Sequence, residues 1–415
     1  MRSICLCFHV HQPVRLKKFT FFDIGNSDYY YDDSRNETII KRVSENCYMP
    51  ANKIILDLIN KSNGRFKVSY SISGTALEQF DRYAPEVLES FKELACTGHV
   101  EFMAQTYSHS LSFLKSKHQF ASEIQAHGAA IESLFGKKPE VFSNTGLIYS
   151  DEIGTRIAAM GYKATLCGSP NHILQWRSPN QVYRNANNPA FSVLLKNQQL
   201  SDDLSLRFSN NDWIGWPLTA KKYVSWLNKT STEGNIINLF MDYETFGEYH
   251  RKESGIFDFL DSFPRMVFAK SDCQFITPSQ VVDQYPAIST IHVPYSHTWG
   301  DNQWNLSACL GNELQQEAFE QLYALNRIID YCTCPKLKKD WQYLQSSDHF
   351  YYMTTNSLSV AERKTAGNPY ESPYAAFINY MNVLNDFTLR LKRKTGDIQL
   401  HEYVDKREEI SYTIL

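Results

Sequence analysis

The segment 236–250, IINLFMDYETFGEYH, places several ionisable side chains directly after an apolar run. Asp242 ends the run, and Glu244, Glu248 and His250 follow closely. A carboxylate at the exit of a buried strand is well placed for proton transfer, and most such chemistry needs a second carboxylate facing the first. The main question that the sequence raises is where this second group lies.

Two histidines, His9 and His11, lie two residues apart in HVHQP near the start of the chain. On a strand they share one face. Three interpretations stay open for them: hydrogen-bonded histidines of the core, a pair of metal ligands, or contacts to hydroxyl groups of a ligand. The segment GHVEFMAQTYSHS (98–110) adds Glu101 and also His109, which we place in a loop.

Apolar runs that alternate with amphipathic segments must position these residues. The runs predict strands at 3–10, 66–73, 100–105, 140–146, 164–169 and 236–242. The amphipathic segments predict helices at 51–61, 76–95, 118–135, 151–160, 219–228 and 255–261. Strands alternating with helices indicate an α/β fold with a parallel sheet and helices outside it. In a barrel of parallel strands, reactive residues lie at the C-terminal strand ends. The barrel therefore predicts one polar mouth, formed by His9, His11, Glu101, Asn144–Gly146 and Asp242.

Two insertions interrupt the alternation of strands and helices, and after it the sequence pattern becomes mainly helical. A polar, Tyr-rich segment covers 19–42, and a second insertion covers 174–212, where 191–209 predicts a β-hairpin. We expect both insertions to build the rim of the site. Beyond about residue 300, helical periodicity dominates and predicts a helical bundle packed on the barrel.

Composition narrows the class of protein. A net charge of −3, a pI near 6.5 and the lack of a basic run argue against nucleic acid as a partner. No signal peptide or membrane span is visible, and the nine cysteines have no framework spacing, so we predict a reduced, cytoplasmic protein. Aromatic residues make up 14% of the chain, which fits a large core or a groove lined by rings.

Five ordered stretches carry a family resemblance: HVHQP, GHVEFMAQTYSHS, PEVFSNTGLIYSDEIG, LFMDYETFGEYH and WGDNQWNLSACLGNELQ. They resemble the signature motifs of glycoside hydrolase family 57, and SDHFYYM is similar to its α-amylase branch. The resemblance implies an incomplete TIM-like (β/α)7 barrel over 1–300 and an α-helical domain over 301–415. It also implies retaining chemistry on α-1,4-glucans or maltooligosaccharides, with no metal and no organic cofactor.

The resemblance assigns roles residue by residue. Asp242 matches the general acid/base. The expected substrate contacts are His9, His11, Glu101, Glu244, Trp299 and Asp301. The nucleophile of the family is a Glu in the third motif, and here that position is Gly146. The fifth motif departs as well, at Asn302, Gln303 and Cys309.

These departures predict an amylase-like protein with absent or very weak hydrolysis. The alternatives are a glucan-binding protein without catalysis and a metal-dependent hydrolase of the deacetylase type. The last would need an Asp-His-His metal set, which the neighbourhood of His9 and His11 does not provide. The sequence leaves the oligomeric state open.

Overall fold

The computed structural model describes residues 2–169, 171–230, 234–296, 306–355 and 367–396, which form an α/β fold with parallel sheets. The strands are β1 (Arg2–Val10), β2 (Val68–Ile72), β3 (Val100–Phe102), β4 (Val141–Ser143), β5 (Ala164–Cys167), β6 (Val182–Asn185), β7 (Ser192–Leu195), β8 (Ile236–Asp242), β9 (Cys273–Phe275) and β10 (Ser289–Ile291). All six strands predicted from apolar runs are present, with boundaries moved by a few residues.

The helices in the first part of the described chain are α1 (Asp33–Val43), α2 (Met49–Lys61), α3 (Gly74–Tyr83), α4 (Pro85–Cys96), α5 (Lys117–Phe135), α6 (Asp151–Ala159), α7 (Asn171–Leu174), α8 (Gln198–Ser205), α9 (Ala220–Thr230), α10 (Ile256–Lys270) and α11 (Pro278–Gln284). The later helices are α12 (Leu306–Leu310), α13 (Glu313–Ala324), α14 (Asn326–Tyr331), α15 (Pro335–Leu344), α16 (Ser347–Tyr351) and α17 (Pro373–Thr395). None of the described helices combines the length and apolar character that crossing a bilayer requires.

The first sheet is parallel and has the order β3-β2-β1-β8, with β9 also paired to β1. Even-numbered residues of β1 pack into the core beneath the helices, whereas Cys5 and Cys7 face the inside of the sheet. Because side chains alternate along a strand, His9 belongs to the inner face as well. In β8, Phe240 faces inward, and Asp242 follows it on the same face. The register pairs His9 with Asp242.

The second sheet has the order β10-β6-β7-β5-β4, and in it only the β6–β7 pair is antiparallel. Two isolated parallel bridges connect the sheets, Ala104 to Phe142 on one side and Lys196 to Asn238 on the other. The parallel strands of both sheets therefore follow one another in a ring, and their C-terminal ends point the same way.

The predicted hairpin at 191–209 is wrong in its second half. The chain forms strand β7 and then helix α8, because the Asn197 side chain caps the helix by accepting a hydrogen bond from the Leu200 backbone N–H. The antiparallel partner of β7 is β6, which precedes it. The segment predicted as one helix at 76–95 is split into α3 and α4, since Pro85 begins the second helix and restricts Ala84 to a non-helical conformation.

The later helices share a second core with the segment that follows β1. Phe19 and Tyr30 lie in this core beside residues of α17. Asn379 of α17 accepts a hydrogen bond from the Phe19 backbone N–H at 2.7 Å, and Asp386 accepts one from the Tyr30 hydroxyl at 2.6 Å. The insertion at 19–42 is thus divided: its first part packs on α17, and its last part forms α1.

Candidate functional site

A cleft of about 530 Å³ lies where the C-terminal ends of β1 and β8 meet the loops that follow them. Its walls carry histidines, carboxylates and cations close to a few apolar and aromatic side chains. The residues that line the cleft include His9, His11, Gln12, Arg15, Arg42, His109, Asn144, Gly146, Lys196, Asp202, Phe240, Asp242, Glu244, Glu248, Tyr249 and Asp348. A concave surface with convergent polar groups is the usual form of a small-ligand site.

Asp242 is held by two hydrogen-bond donors. His9 Nδ1 donates to Asp242 Oδ1 at 3.2 Å, and the Tyr249 hydroxyl donates to Oδ2 at 3.3 Å. Burial would raise the pKa of the Asp242 carboxyl, but the hydrogen bond and the charge of His9 outweigh it, so that the pKa lies below its usual value. Asp242 is therefore a carboxylate at neutral pH.

Three imidazole rings are stacked beside Asp242. The His109 ring centroid lies 4.3 Å from that of His11 and 4.7 Å from that of His9. Burial, followed by the charges of His11 and His9, lowers the pKa of His109 well below its usual value, so its ring is neutral. His109 itself adopts a positive φ of 56°, a conformation uncommon for a residue other than glycine.

Asp348 joins the later helices to this cluster. His11 Nε2 donates to Asp348 Oδ2 at 2.7 Å, and His11 Nδ1 lies 2.8 Å from the Ser73 hydroxyl. Although burial opposes it, the charge of His11 and this hydrogen bond hold the pKa of Asp348 well below its usual range. Asp348 and the central position of His109 were not predicted. SDHFYYM and TYSHS contain both residues, but spacing alone does not show that they meet.

Glu244 is a further carboxyl of the cleft, and it is buried, with 6% of its surface exposed. Its Oε1 atom accepts hydrogen bonds from the Tyr48 hydroxyl at 2.5 Å and from Gln12 Nε2 at 3.4 Å. Arg15 fixes Gln12 in turn by donating from Nη2 to its Oε1 at 3.2 Å. Burial, reinforced by the negative charge of Asp242, raises the pKa of Glu244 to about 7.

Gly146 lines the cleft at the position predicted for the missing carboxylate. It lies in the short 3₁₀ turn Thr145–Leu147 with a φ of 59°, in the left-handed region. The other carboxylates of the wall are engaged: Asp202 pairs with Lys196 at 3.2 Å, and Glu248 pairs with Arg42 at 3.1 Å. The Asp151 carboxylate, close to Gly146 in sequence, accepts from the Val293 backbone N–H instead.

The structure brings His9, His11, Asn144, Gly146 and Asp242 to one mouth, as predicted, but it does not bring Glu101 there. Glu101 Oε2 accepts hydrogen bonds from the backbone N–H and the hydroxyl of Ser279, both at 3.0 Å. The reason is the strand register, which aligns Glu101 with Ser69 and Ser69 with Cys7, two residues before His9.

Two residues on one strand face lie roughly 6.6 Å apart along the strand, so Glu101 is one layer deeper than the site. Two further predicted contacts, Trp299 and Asp301, lie outside the described residues.

The histidines do not converge on a common point as metal ligands would. His9 Nδ1 faces Asp242, and both nitrogens of His11 face protein groups. Within the described ranges, no three His, Cys, Asp or Glu side chains are arranged to hold a metal ion.

Comparison with known proteins identifies relatives of this chain. The sequence profile of Glycosyl hydrolase family 57 matches residues 5–294. A protein of Methanocaldococcus jannaschii named "Putative alpha-amylase" is 38% identical over 399 residues, which cover 93% of this chain and 84% of that protein.

Two solved structures share the fold. The GH57-type branching enzyme of Pyrococcus horikoshii has a TM-score of 0.66 at 13% identity, covering 88% of this chain and 87% of that one. The 4-alpha-glucanotransferase of Thermococcus litoralis has a TM-score of 0.57 at 14% identity. The match covers 88% of this chain but only 54% of the glucanotransferase.

Proposed function

Because this chain belongs to glycosyl hydrolase family 57, we propose that it is an amylase-like protein that binds α-1,4-glucans and hydrolyses them very weakly or not at all. The observation that carries the proposal is Gly146, which lines the cleft together with Asp242 and offers no carboxylate. A retaining glycosidase needs two carboxyl groups about 5 Å apart, one to attack the anomeric carbon and one to transfer the proton.

Loss of the nucleophile removes most of the rate, because the members of a catalytic unit act together. Three of the carboxylates that remain in the cleft wall are already engaged with basic side chains. Asp202 and Glu248 are bound in ion pairs, and Asp348 is bound to His11. In the proposed function, Asp242 keeps the position of the acid/base without a partner to complete the reaction.

The cleft retains the groups that a glucan site needs. Asp242, Glu244 and His11 supply hydrogen-bonding groups, and Phe240 and Tyr249 supply ring surface for the apolar face of a sugar. Tyr249 is 43% exposed, so its ring is accessible in the unliganded protein. We propose maltooligosaccharides as the ligands, a choice supported by the name of the M. jannaschii relative. Contacts from Trp299 and Asp301 stay predictions.

The finer architecture is part of the same proposal. The ring of parallel strands β1, β2, β3, β4, β5, β7 and β8, with its two connecting bridges, supports an incomplete TIM-like (β/α)7 barrel over residues 1–300. Helices α12 to α17 support an α-helical domain over 301–415. The cytoplasmic location stays a prediction from the sequence.

One experiment separates a weak enzyme from a binding protein. Purified protein is incubated with maltotriose through maltoheptaose, and both the release of reducing ends and the ligand-dependent shift of Tm are measured. We expect stabilisation by the longer ligands with little or no product. Efficient hydrolysis would refute the interpretation of Gly146. No stabilisation at millimolar ligand by the folded protein would refute any glucan role.

A further inference from the structure

Asp242 at the end of β8 and Glu244 two residues later are bound in different ways. Asp242 accepts one hydrogen bond on each oxygen, from His9 and from Tyr249. Glu244 accepts hydrogen bonds from two side chains, those of Tyr48 and Gln12, and both are made to Oε1. No other residue of the described chain hydrogen-bonds Glu244 Oε2. Because a carboxylate with donors on both oxygens is held as the anion, Asp242 is the charged member and Glu244 has an oxygen free to carry a proton.

Electrostatics points the same way. Two neighbouring carboxyls, of which Glu244 is buried and Asp242 is half-buried, resist carrying two negative charges, so one of them keeps its proton to a higher pH. His9 stabilises the anion at Asp242, which leaves the proton to Glu244. In accord with this, the pKa of Glu244 is raised to about 7, mainly by burial and then by the charge of Asp242.

We propose that Glu244, rather than Asp242, holds the titrating proton of this cleft and donates it from Oε2 in a hydrogen bond to a bound glucan. The identity of the ligand rests on the proposed function, whereas the place of the proton rests on the contacts of Glu244. The proposal gives the cleft a neutral donor beside a fixed anion. Glucan binding should then weaken as the pH rises past neutrality, when the Oε2 donor becomes an acceptor.

Several groups face Glu244 and act on its proton. The charge of Asp242 holds the proton, whereas the Tyr48 hydroxyl, the backbone N–H of Glu244 itself and His9 favour its release. The remaining neighbours are Gln12, whose amide is neutral, Cys47 and Tyr249. Burial raises the pKa of the Cys47 thiol well above its usual value, so it stays protonated in the relevant range. The Tyr249 hydroxyl donates its proton to Asp242 Oδ2.

The first test measures the protonation state of Glu244 in the protein without ligand. Infrared difference spectra between wild type and Glu244→Gln, recorded from pH 5 to 9, isolate the C=O band of a protonated Glu244 carboxyl. We expect this band to disappear with a midpoint near pH 7 in wild type and in the control Glu248→Gln, which removes another carboxyl of the cleft wall. Asp242→Asn should keep the band but move its midpoint to lower pH, because the anion that holds the proton is gone.

A second variant keeps the test decisive if Glu244→Gln folds poorly. Tyr48→Phe removes a donor to Oε1 and should move the midpoint of the same band to higher pH. A band that vanishes in Asp242→Asn, or that is unchanged in both Glu244→Gln and Tyr48→Phe, would place the proton elsewhere and overturn the proposal.

The second test measures how the affinity for a glucan ligand depends on pH. Calorimetry with maltohexaose should show wild-type affinity falling about 2–10-fold between pH 6 and 8.5, the worth of one hydrogen bond. Glu244→Gln should bind with little pH dependence, since its amide donates at every pH. A fall that persists in Glu244→Gln would contradict the donor role. Absence of glucan binding at every pH, with the infrared result as expected, would refute the proposed function and the donor role but not the place of the proton.

Discussion

Gly146 and Cys309 line the same side pocket, a cavity of about 20 Å³ that adjoins the cleft through His109 and Gly146 itself. Its size suits a single water molecule. Both positions hold smaller residues than the family motifs that they resemble, which have Glu and Trp there. The two departures from the resembled motifs therefore fall on one spot in the structure, beside the position that we propose for the lost nucleophile.

Restoring the carboxylate at position 146 should rescue hydrolysis weakly at best. Among the residues that the structure describes, a Cβ on Gly146 would meet only the Ile148 side chain, at 3.6 Å, so a side chain has room there. The left-handed backbone opposes it, at a cost of about 1–2 kcal/mol for a residue other than glycine. We expect Gly146→Glu to fold with a lower Tm and to release maltose slowly from maltohexaose.

The matched control is Gly146→Ala, which has the same backbone strain and no carboxylate. Strong hydrolysis by Gly146→Glu, absent from Gly146→Ala, would show that only the nucleophile was lost and that the surrounding site is intact.

The contact between His11 and Asp348 should stabilise the whole fold, because it joins β1 to α16. Asp348→Asn replaces a charge-assisted hydrogen bond at 2.7 Å between two largely buried side chains, and we expect a loss of about 1–3 kcal/mol. Since the pKa of Asp348 is lowered in the folded protein, its contribution is present above the unfolded pKa and is lost as the pH falls.

Urea unfolding at pH 4 and pH 7 checks both points. The control is Asp57→Asn, which breaks an exposed pair with Lys61 and should change stability by no more than about 0.5 kcal/mol. Equal losses of unfolding free energy in the two variants would mean that the His11–Asp348 contact stabilises the fold no more than an exposed ion pair does.

Glu123 should make the protein less stable as the pH rises. It is 5% exposed and bonded to the Ser110 hydroxyl, and burial raises its pKa to about 7. For a carboxyl whose pKa is raised on folding, the stabilisation is complete below the unfolded pKa of about 4.3 and is lost as the pH passes 7. We therefore expect Glu123→Gln to lose less stability than wild type between pH 5 and pH 8, by about 1–3 kcal/mol.

Unfolding midpoints at the two pH values measure this difference. The same substitution at Glu132, an exposed residue of the same helix, should leave the pH dependence unchanged. The prediction is wrong if Glu123→Gln and wild type have parallel profiles.

Gly247 should be indispensable for the loop that carries Glu244. Its φ is 110°, and a Cβ at this position would lie 1.9 Å from the backbone oxygen of Asn46. We expect Gly247→Ala to destabilise by more than about 3 kcal/mol or to prevent folding, because backbone on both sides must move. Gly255→Ala is the control: its φ of 81° is also positive, but no atom of the described segments lies within 4 Å of the added Cβ, so about 1 kcal/mol is expected. Similar Tm values for the two variants would contradict the prediction.

The sequence predicted the strands and the polar mouth of the fold better than it predicted which side chains contact one another in that mouth. Apolar runs located β1 and β8, and the position of strand ends then brought His9 and Asp242 together. The position of Glu101 was predicted wrongly. Alternation shows which face of a strand a side chain occupies, but it does not show how far neighbouring strands are shifted relative to one another.

Asp348 was missed for a related reason. It lies 337 residues from His11 in the chain, and no periodic pattern connects helices beyond the sheet to a strand end. Helix α8 was missed because its apolar residues are few and its start depends on a single capping residue, Asn197.

The packing of the segment around Phe19 and Tyr30 on α17 has a consequence for the folding of the chain during its synthesis on the ribosome. The bonded residues are separated by 360 positions for Phe19 and Asn379 and by 356 for Tyr30 and Asp386. At a translation rate of about 5–20 residues per second, the early segment waits roughly 20–70 s for its partner. During that time Phe19 and Tyr30 lack these two partners, so we expect the ribosome-bound chain to engage holding chaperones until α17 has been synthesised.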